Sequence, residues 1–205
     1  MSYYELATLK IALGGMANAT SGLQQWLGAQ EAVGRLLGAW STDIGPLNEI
    51  ILLREFATLE SLMSERERLF RADDTFDCHN SLVTYRVETF RPLDFITSVE
   101  TGNHGPYYEI RSYRMKLNGL IPTTEKWQAA LPKRSAYSPC TIALYGIEGT
   151  PRLTQIWPYT SLAARAEARA QSVKDGVWPP IGGPDWLLED MVSVIALPLP
   201  FSPLQ

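Results

Sequence analysis

The sequence predicts an α+β protein in which one β-α-β-β-α-β unit, the split-βαβ or ferredoxin-like plan, occurs twice in tandem with the two sheets packed face to face. Three observations predict it. The opening stretch YYELATLKIALGG, Tyr3 to Gly15, recurs as YYEIRSYRMKLNG, Tyr107 to Gly119. Self-similarity at a long fixed spacing marks duplicated supersecondary units. Further along each half, LREFATLESLMSERER (Leu53 to Arg68) is matched by IWPYTSLAARAEAR (Ile156 to Arg169). Finally, alternating and helical apolar periods follow each other in the same order in both halves.

In the first half, alternation of Tyr4, Leu6 and Thr8 predicts a strand, and Leu23, Trp26 and Leu27 fall at helical spacing. Val33 to Ser41 and Leu47 to Glu55 read as strands around the DIGP turn. A second helix uses Leu59, Leu62, Met63, Arg66 and Phe70, and a last strand runs from Leu82 to Phe90. In the second half the strand is Tyr107 to Met115, followed by a helix around Trp127 begun by Pro122 and ended by Pro132. CTIALYGIEGTPRLTQIW reads as a hairpin, and a helix after Ser161 and the strand MVSVIAL complete the unit. Thr58 and Ser161 stand where a hydroxyl would cap the free N–H groups of each second helix. Domains are therefore expected over residues 1–97 and 106–205, joined by the polar, turn-rich SVETGNHGP linker, Ser98 to Pro106. In this plan two helices cover one face of a four-stranded sheet and leave the other bare, so two units in one chain have a use for each other: an intrachain pseudo-dimer. Association of whole chains into a homo-oligomer stays open.

The 205 residues suit one domain or two, and 45% hydrophobic with 20% charged residues is the composition of a chain that buries a core. No apolar run reaches the ~18 residues that cross a bilayer, and MSYYELATLK lacks a secretory profile, which points to a cytoplasmic protein. Cys78 and Cys140, far apart in such a chain, are expected to be free thiols. A net charge of −4 argues against a nucleic-acid partner. The balance is uneven: residues 1–105 hold 8 Lys+Arg against 14 Asp+Glu, and residues 106–205 hold 10 against 8.

YYEIRSY, IWPYTSLAARAEAR, DGVWPP (Asp175 to Pro180) and the closing PLPFSPLQ together resemble the NIPSNAP family of the dimeric α/β-barrel superfamily, over nearly all of the second half. The first half resembles a degenerate copy. Arg111 and Tyr113 correspond to Ala7 and Leu9, Trp157 corresponds to Arg54, and the Trp-Pro-Pro loop and terminal signature are missing. The resemblance implies sheets that pair into a barrel. It implies little chemistry, because superfamily relatives include haem-degrading monooxygenases, cofactor-free oxygenases and isomerases. Haem-binding relatives use a histidine from a helical segment, whereas both second helices here contain none.

Glu109, Arg111 and Tyr113, at i, i+2 and i+4 of a strand, project from one face. They form either an anion-holding cluster, with Arg111 on a carboxylate or phosphate and Tyr113 on an oxyanion, or a salt-bridged sheet face in which Glu109 neutralises Arg111. Arg165 and Arg169 share a helix face that Glu167 leaves, and they meet an anionic ligand, the acidic first half, or water. Trp157 and Tyr159 flank Pro158, which is expected to end or bulge its strand beside a cleft; the plain alternative is core. Trp178, in the loop WPPIGGPDW, serves as a mobile cover or as a plug in a barrel end. His79 and His104, the only histidines, have no metal-ligand spacing, so no metal and no cofactor are expected. There is no GxSxG, P-loop or dinucleotide fingerprint, and GIEGTP lies in a hairpin. The expected function is binding or transformation of a small, partly apolar, anionic molecule in the second half, of cofactor-free oxygenase type where chemistry occurs. The alternative is a non-enzymatic interaction or assembly module.

Overall fold

Along the first strand Tyr4, Leu6 and Thr8 alternate with Glu5, Ala7 and Leu9, and both sets are largely buried. A strand covered on both sides needs two layers around it, and the structure supplies them. The protein is described by a computed structural model covering residues 2–96 and 98–205. The first half runs β1 (Tyr3–Ile11), α1 (Met16–Gly28), β2 (Arg35–Ile44), β3 (Glu49–Phe56), α2 (Leu59–Arg71) and β4 (Leu82–Pro92). The second repeats the order as β5 (Tyr107–Met115), α3 (Leu120–Ser135), β6 (Ile142–Gly146), β7 (Arg152–Tyr159), α4 (Leu162–Lys174) and β8 (Leu187–Pro198). The expected boundary at residue 97 falls outside the described residues.

The two antiparallel sheets oppose each other and also join at their edges, through β2–β8 and β4–β6, into one closed eight-stranded barrel. Closure removes the unpaired edges that open sheets expose. One face of every strand points inward: Leu6, Ile51, Leu53, Phe90, Ile110, Leu144, Ile156 and Val194 form a single interior cluster with residues from both halves. The opposite faces meet the helices, as two separate outer clusters, one per half.

Both expected N-caps are present. Thr58 Oγ1 accepts from Ser61 N at 3.1 Å and Ser161 Oγ accepts from Ala164 N at 3.0 Å. β2 starts two residues later than expected because Gly34 holds a φ of +91°, outside the strand region and open mainly to glycine. Pro132 does not end its helix; α3 continues to Ser135 with Pro132 inside it. The carbonyl that loses its i+4 donor belongs to Gln128, an exposed residue that water can serve. Pro158 neither ends nor bulges β7, whose pairing with β5 runs unbroken from Tyr107↔Tyr159 to Arg114↔Arg152. It lies beyond the end of the β6 pairing at Ile156, so β6 does not call on its missing N–H.

The linker and terminal signature close one end of the barrel together. Gly102 and Leu204 form a parallel bridge, Gln205 N donates to Gly102 O at 2.9 Å, and Ala39 N donates to Ser202 Oγ at 2.9 Å. Leu204 is thereby seated in the interior beside Trp40 and Tyr108, whose rings lie 5.2 Å apart. The PLPFSPLQ motif thus ties the second half to β2 of the first. No helix among the described residues is long and apolar enough to cross a membrane, and Cys78 and Cys140 are both free.

Candidate functional site

The two halves differ most in how the space between sheet and helices is filled. In the first half, α2 sends Leu62, Glu65 and Leu69 inward and all three are buried. In the second, the equivalent helix is LAARAEARAQSVK, whose short alanines fill less of the space over the sheet; Ala168 is only partly buried against the core, and of the helix only Ser172 is fully buried. The difference leaves a cavity of about 250 Å³ under α4, lined among others by Arg111, Tyr113, Trp127, Arg169, Trp178 and Met191.

The ion network beside it is built around Glu109, which is 0% exposed. Its Oε1 accepts from Arg165 Nη2 at 2.5 Å, from Ser193 Oγ at 2.7 Å and from Arg111 Nη1. Oε2 has no hydrogen bond, and Arg169 Nη1 stands 3.7 Å from it. Arg111 also donates from Nε to the Tyr113 hydroxyl. Burial by itself would raise the Glu109 carboxyl, but the hydrogen bonds from Arg165 and Ser193 and the Arg111 charge override it and hold it at about 2. Arg169 is pushed below its ordinary value, first by burial and then by repulsion from Arg111 and Arg165, with Glu109 offsetting only part. Three guanidiniums thus surround one carboxylate, and no second acid pairs with any of them among the described residues. The cluster carries two excess positive charges at the edge of an apolar cavity.

The aromatic wall is Trp127 of α3 and Trp178 of the loop after α4, in edge contact at 4.8 Å. Trp178 N donates to Ser172 O at 3.0 Å, which fixes the loop to the C-terminal end of α4 and the indole over the outer sheet face. Trp178 plugs no barrel end. Trp157 lies behind these two rings, at 6.4 Å from Trp127 and 5.9 Å from Trp178, and does not line the cavity. Tyr159 is buried further off, with its hydroxyl 3.5 Å from Arg134 Nη2. Of the eight residues singled out in the sequence, Arg111, Tyr113, Arg169 and Trp178 meet at the cavity, while Glu109 holds the arginines together and Arg165 is the third cation drawn to it. Trp157 and Tyr159 belong to the core.

Four residues escaped the sequence reading. Trp127 has the spacing of an ordinary core residue on a helix, and Ser193 is one small hydroxyl in a hydrophobic strand. Met191 carries no polar signal. Arg134 is 2% exposed, stacks on Trp157 at 4.6 Å from its centroid, and has no carboxylate partner among the described residues. In the first half Arg54, standing where Trp157 stands in the second, is buried between Glu5 (2.5 Å) and Glu65 (2.6 Å), and Arg66 closes on Glu5 at 2.6 Å. Ala7 and Leu9, in place of Arg111 and Tyr113, are fully buried in the outer core. Salt bridges and apolar packing fill this side. Among the described residues no group of three or more His, Cys, Asp or Glu is placed to hold a metal; His79 pairs with Asp74 at 2.7 Å on the surface.

Two ferredoxin-like halves closed into one barrel, with helices outside and a cleft between helices and sheet, define a protein of the dimeric α/β-barrel class. Solved structures agree over almost the whole chain. An anthrone oxidase-like protein superposes with a TM-score of 0.73 at 9% identity, covering 97% of this chain and 91% of that one. A candidate monooxygenase from Lactobacillus acidophilus gives 0.68 at 12% identity, covering 96% and 93%. Within that class, the family model NIPSNAP matches residues 4–83 and again 108–203, and the chain belongs to the NIPSNAP family. A NipSnap homolog of Dictyostelium discoideum is 27% identical over 179 residues, 85% of this chain and 77% of that protein.

Proposed function

We propose that the cavity of the second half binds a small aromatic or partly apolar anion. The observation that carries this reading is the pair of under-neutralised guanidiniums, Arg111 and Arg169, on the wall of a cavity whose remaining lining, apart from the Tyr113 hydroxyl, is mostly apolar, with Trp127, Trp178, Leu187 and Met191 among it. Ligand sites are mostly apolar with a few placed polar groups, and an anion here would relieve the repulsion among Arg111, Arg165 and Arg169. The ring would stand against the wall the two indoles form together, and the anionic group between Arg111 and Arg169. Glu109, held at about 2 among its arginines, is a poor proton acceptor at neutral pH, so the site offers cations and a phenol rather than a general base. Where chemistry follows, the cations would favour the deprotonated form of an electron-rich phenol, the form that a cofactor-free oxygenation consumes. A pure assembly module calls for a solid interior between sheet and helices, and the open space under α4 speaks against it.

The test is a thermal-shift titration with benzoate and salicylate. A ligand at 100 times its dissociation constant adds about 2.7 kcal/mol, or roughly 6 °C for a chain of this size. Arg169→Gln and Trp178→Ala are expected to abolish the shift, and benzyl alcohol to give none. An equal shift with benzyl alcohol, or none with any single-ring carboxylate or phenolate, removes the proposal.

A further inference from the structure

The barrel interior is filled at one end and open at the other. Opposite the end sealed by Trp40, Tyr108 and Leu204, the lumen opens into a second cavity of about 530 Å³, on the face of the sheet that the helices do not reach. An eight-stranded barrel is just wide enough either to be filled by side chains or to hold one small ligand. Here its inward positions change character with depth. Leu6, Ile51, Ile110 and Val194 make an apolar floor, Thr8 and Ser112 stand above it, and charged residues ring the mouth. Val192, also pointing inward, is 48% exposed.

The charges that line the mouth are equal in number, three arginines and the carboxylates Glu49, Glu88 and Asp190, but they are unevenly placed. Glu88 accepts from Arg86 Nε at 2.8 Å and also pairs with Arg152 Nη1 at 2.7 Å, so one carboxylate serves two guanidiniums. Arg114 pairs with Asp190 at 3.0 Å. Arg114 and Arg152 are directly opposite each other in the β5–β7 pairing, an arrangement of like charges that costs stability. Glu49 lines the mouth from β3, two strands from Arg86 and in register beside Lys10. One arc of the rim, from β4 through β7 and β5 to β8, holds Arg86, Arg152 and Arg114 against Glu88 and Asp190, three cations to two anions. From Arg114 down to Ile110 is four residues of strand, about 13 Å of chain and about 10 Å of depth at the usual barrel tilt.

We propose that the open end of the barrel is a second ligand site, for a short-chain carboxylate with an apolar tail. The tail rests on Leu6, Ile51, Ile110 and Val194, and the carboxylate lies among Arg86, Arg114 and Arg152. The depth is roughly the reach of an eight-carbon chain. Both halves contribute to the walls, so the site exists only in the closed barrel and its ligand stabilises that closure. It is separate from the cavity at Trp178, and neither proposal depends on the other.

The probe is octanoate, titrated into the full chain labelled at Leu, Ile and Val methyls. Saturable shifts are expected at Leu6, Ile51, Ile110, Val192 and Val194. Arg114→Gln and Val192→Trp should each weaken binding at least about 10-fold, the scale of one charge-assisted hydrogen bond or a blocked entrance. Octan-1-ol should bind at least about 10-fold more weakly, and Arg169→Gln should leave unchanged the octanoate affinity read at those lumen methyls. The methyl map of the unaltered protein decides the location even where Val192→Trp does not fold. The proposal is overturned by an absence of saturable binding, by shifts confined to residues around Trp178, by octanol binding equal to octanoate, or by Arg169→Gln weakening octanoate as much as Arg114→Gln does.

Discussion

Glu109→Gln should be among the most informative substitutions in the molecule. The side chain keeps its shape and an acceptor oxygen but loses the charge that holds Arg111, Arg165 and Arg169 together. Native Glu109 ionises at about 2 instead of its ordinary 4.5. A difference of that size is worth about 3 kcal/mol, and removing one partner of a buried ion pair costs a similar amount. The folded carboxyl is depressed, so its contribution is complete above the unfolded value near 4.5 and is lost as pH falls through about 2. Urea unfolding of both proteins from neutral to strongly acidic pH should therefore show a gap of about 3 kcal/mol at neutrality that narrows below pH about 4.5. In a thermal scan the gap at neutral pH corresponds to roughly 7 °C. A loss under about 1 kcal/mol at neutrality, or a gap that stays constant into acid, would refute the claim that this carboxylate holds the arginine cluster.

Arg54→Met, in the first half, removes the buried cation shared by Glu5 and Glu65 and leaves each with one partly exposed arginine, Arg66 and Arg68; it should cost about 3 kcal/mol in chemical denaturation. The triple variant Glu5→Gln, Arg54→Met, Glu65→Gln should recover most of that loss, because the fully buried charges are gone and the two arginines that lose a partner, Arg66 and Arg68, reach solvent; a triple variant as unstable as the single one would show that packing, not charge, is responsible. Burial pushes the Cys78 thiol up to about 11 and the Cys140 thiol up to about 12, so in mild alkali both should react with Ellman's reagent about 100-fold more slowly than in denaturant. Rapid stoichiometric labelling of either in the native protein would contradict the burial described.

The duplication and the element order were legible because they depend on local rules: apolar period, hydroxyl caps and turn residues act over a few positions. Tyr3 to Gly15 and Tyr107 to Gly119 announce themselves by likeness, and the second-helix starts by Thr58 and Ser161. Pro132 and Pro158 misled because a proline's cost depends on whether a neighbouring donor is needed, and that is set by solvent at Gln128 and by where β6 stops. The polar half of the candidate site was visible for a similar reason. Glu109, Arg111 and Tyr113 share a strand face by simple alternation, and Arg165 and Arg169 share a helix face by simple periodicity.

What could not be read was which of these residues meet. Trp127, Trp157 and Trp178 are all large, apolar and mostly hidden, and only their packing places two on a cavity wall and one behind it. The sequence by itself determined that two ferredoxin-like halves exist, that they hide one sheet face each, and that the second keeps charged groups which the first replaced with Ala7 and Leu9. The tertiary structure decided that alanines on α4 leave a space where Leu62, Glu65 and Leu69 on α2 are buried against their sheet, and that the barrel seals at one end and opens at the other. Cavities are set by how distant surfaces fit, and nothing in a residue's own neighbours along the chain records the distance to the surface it will face.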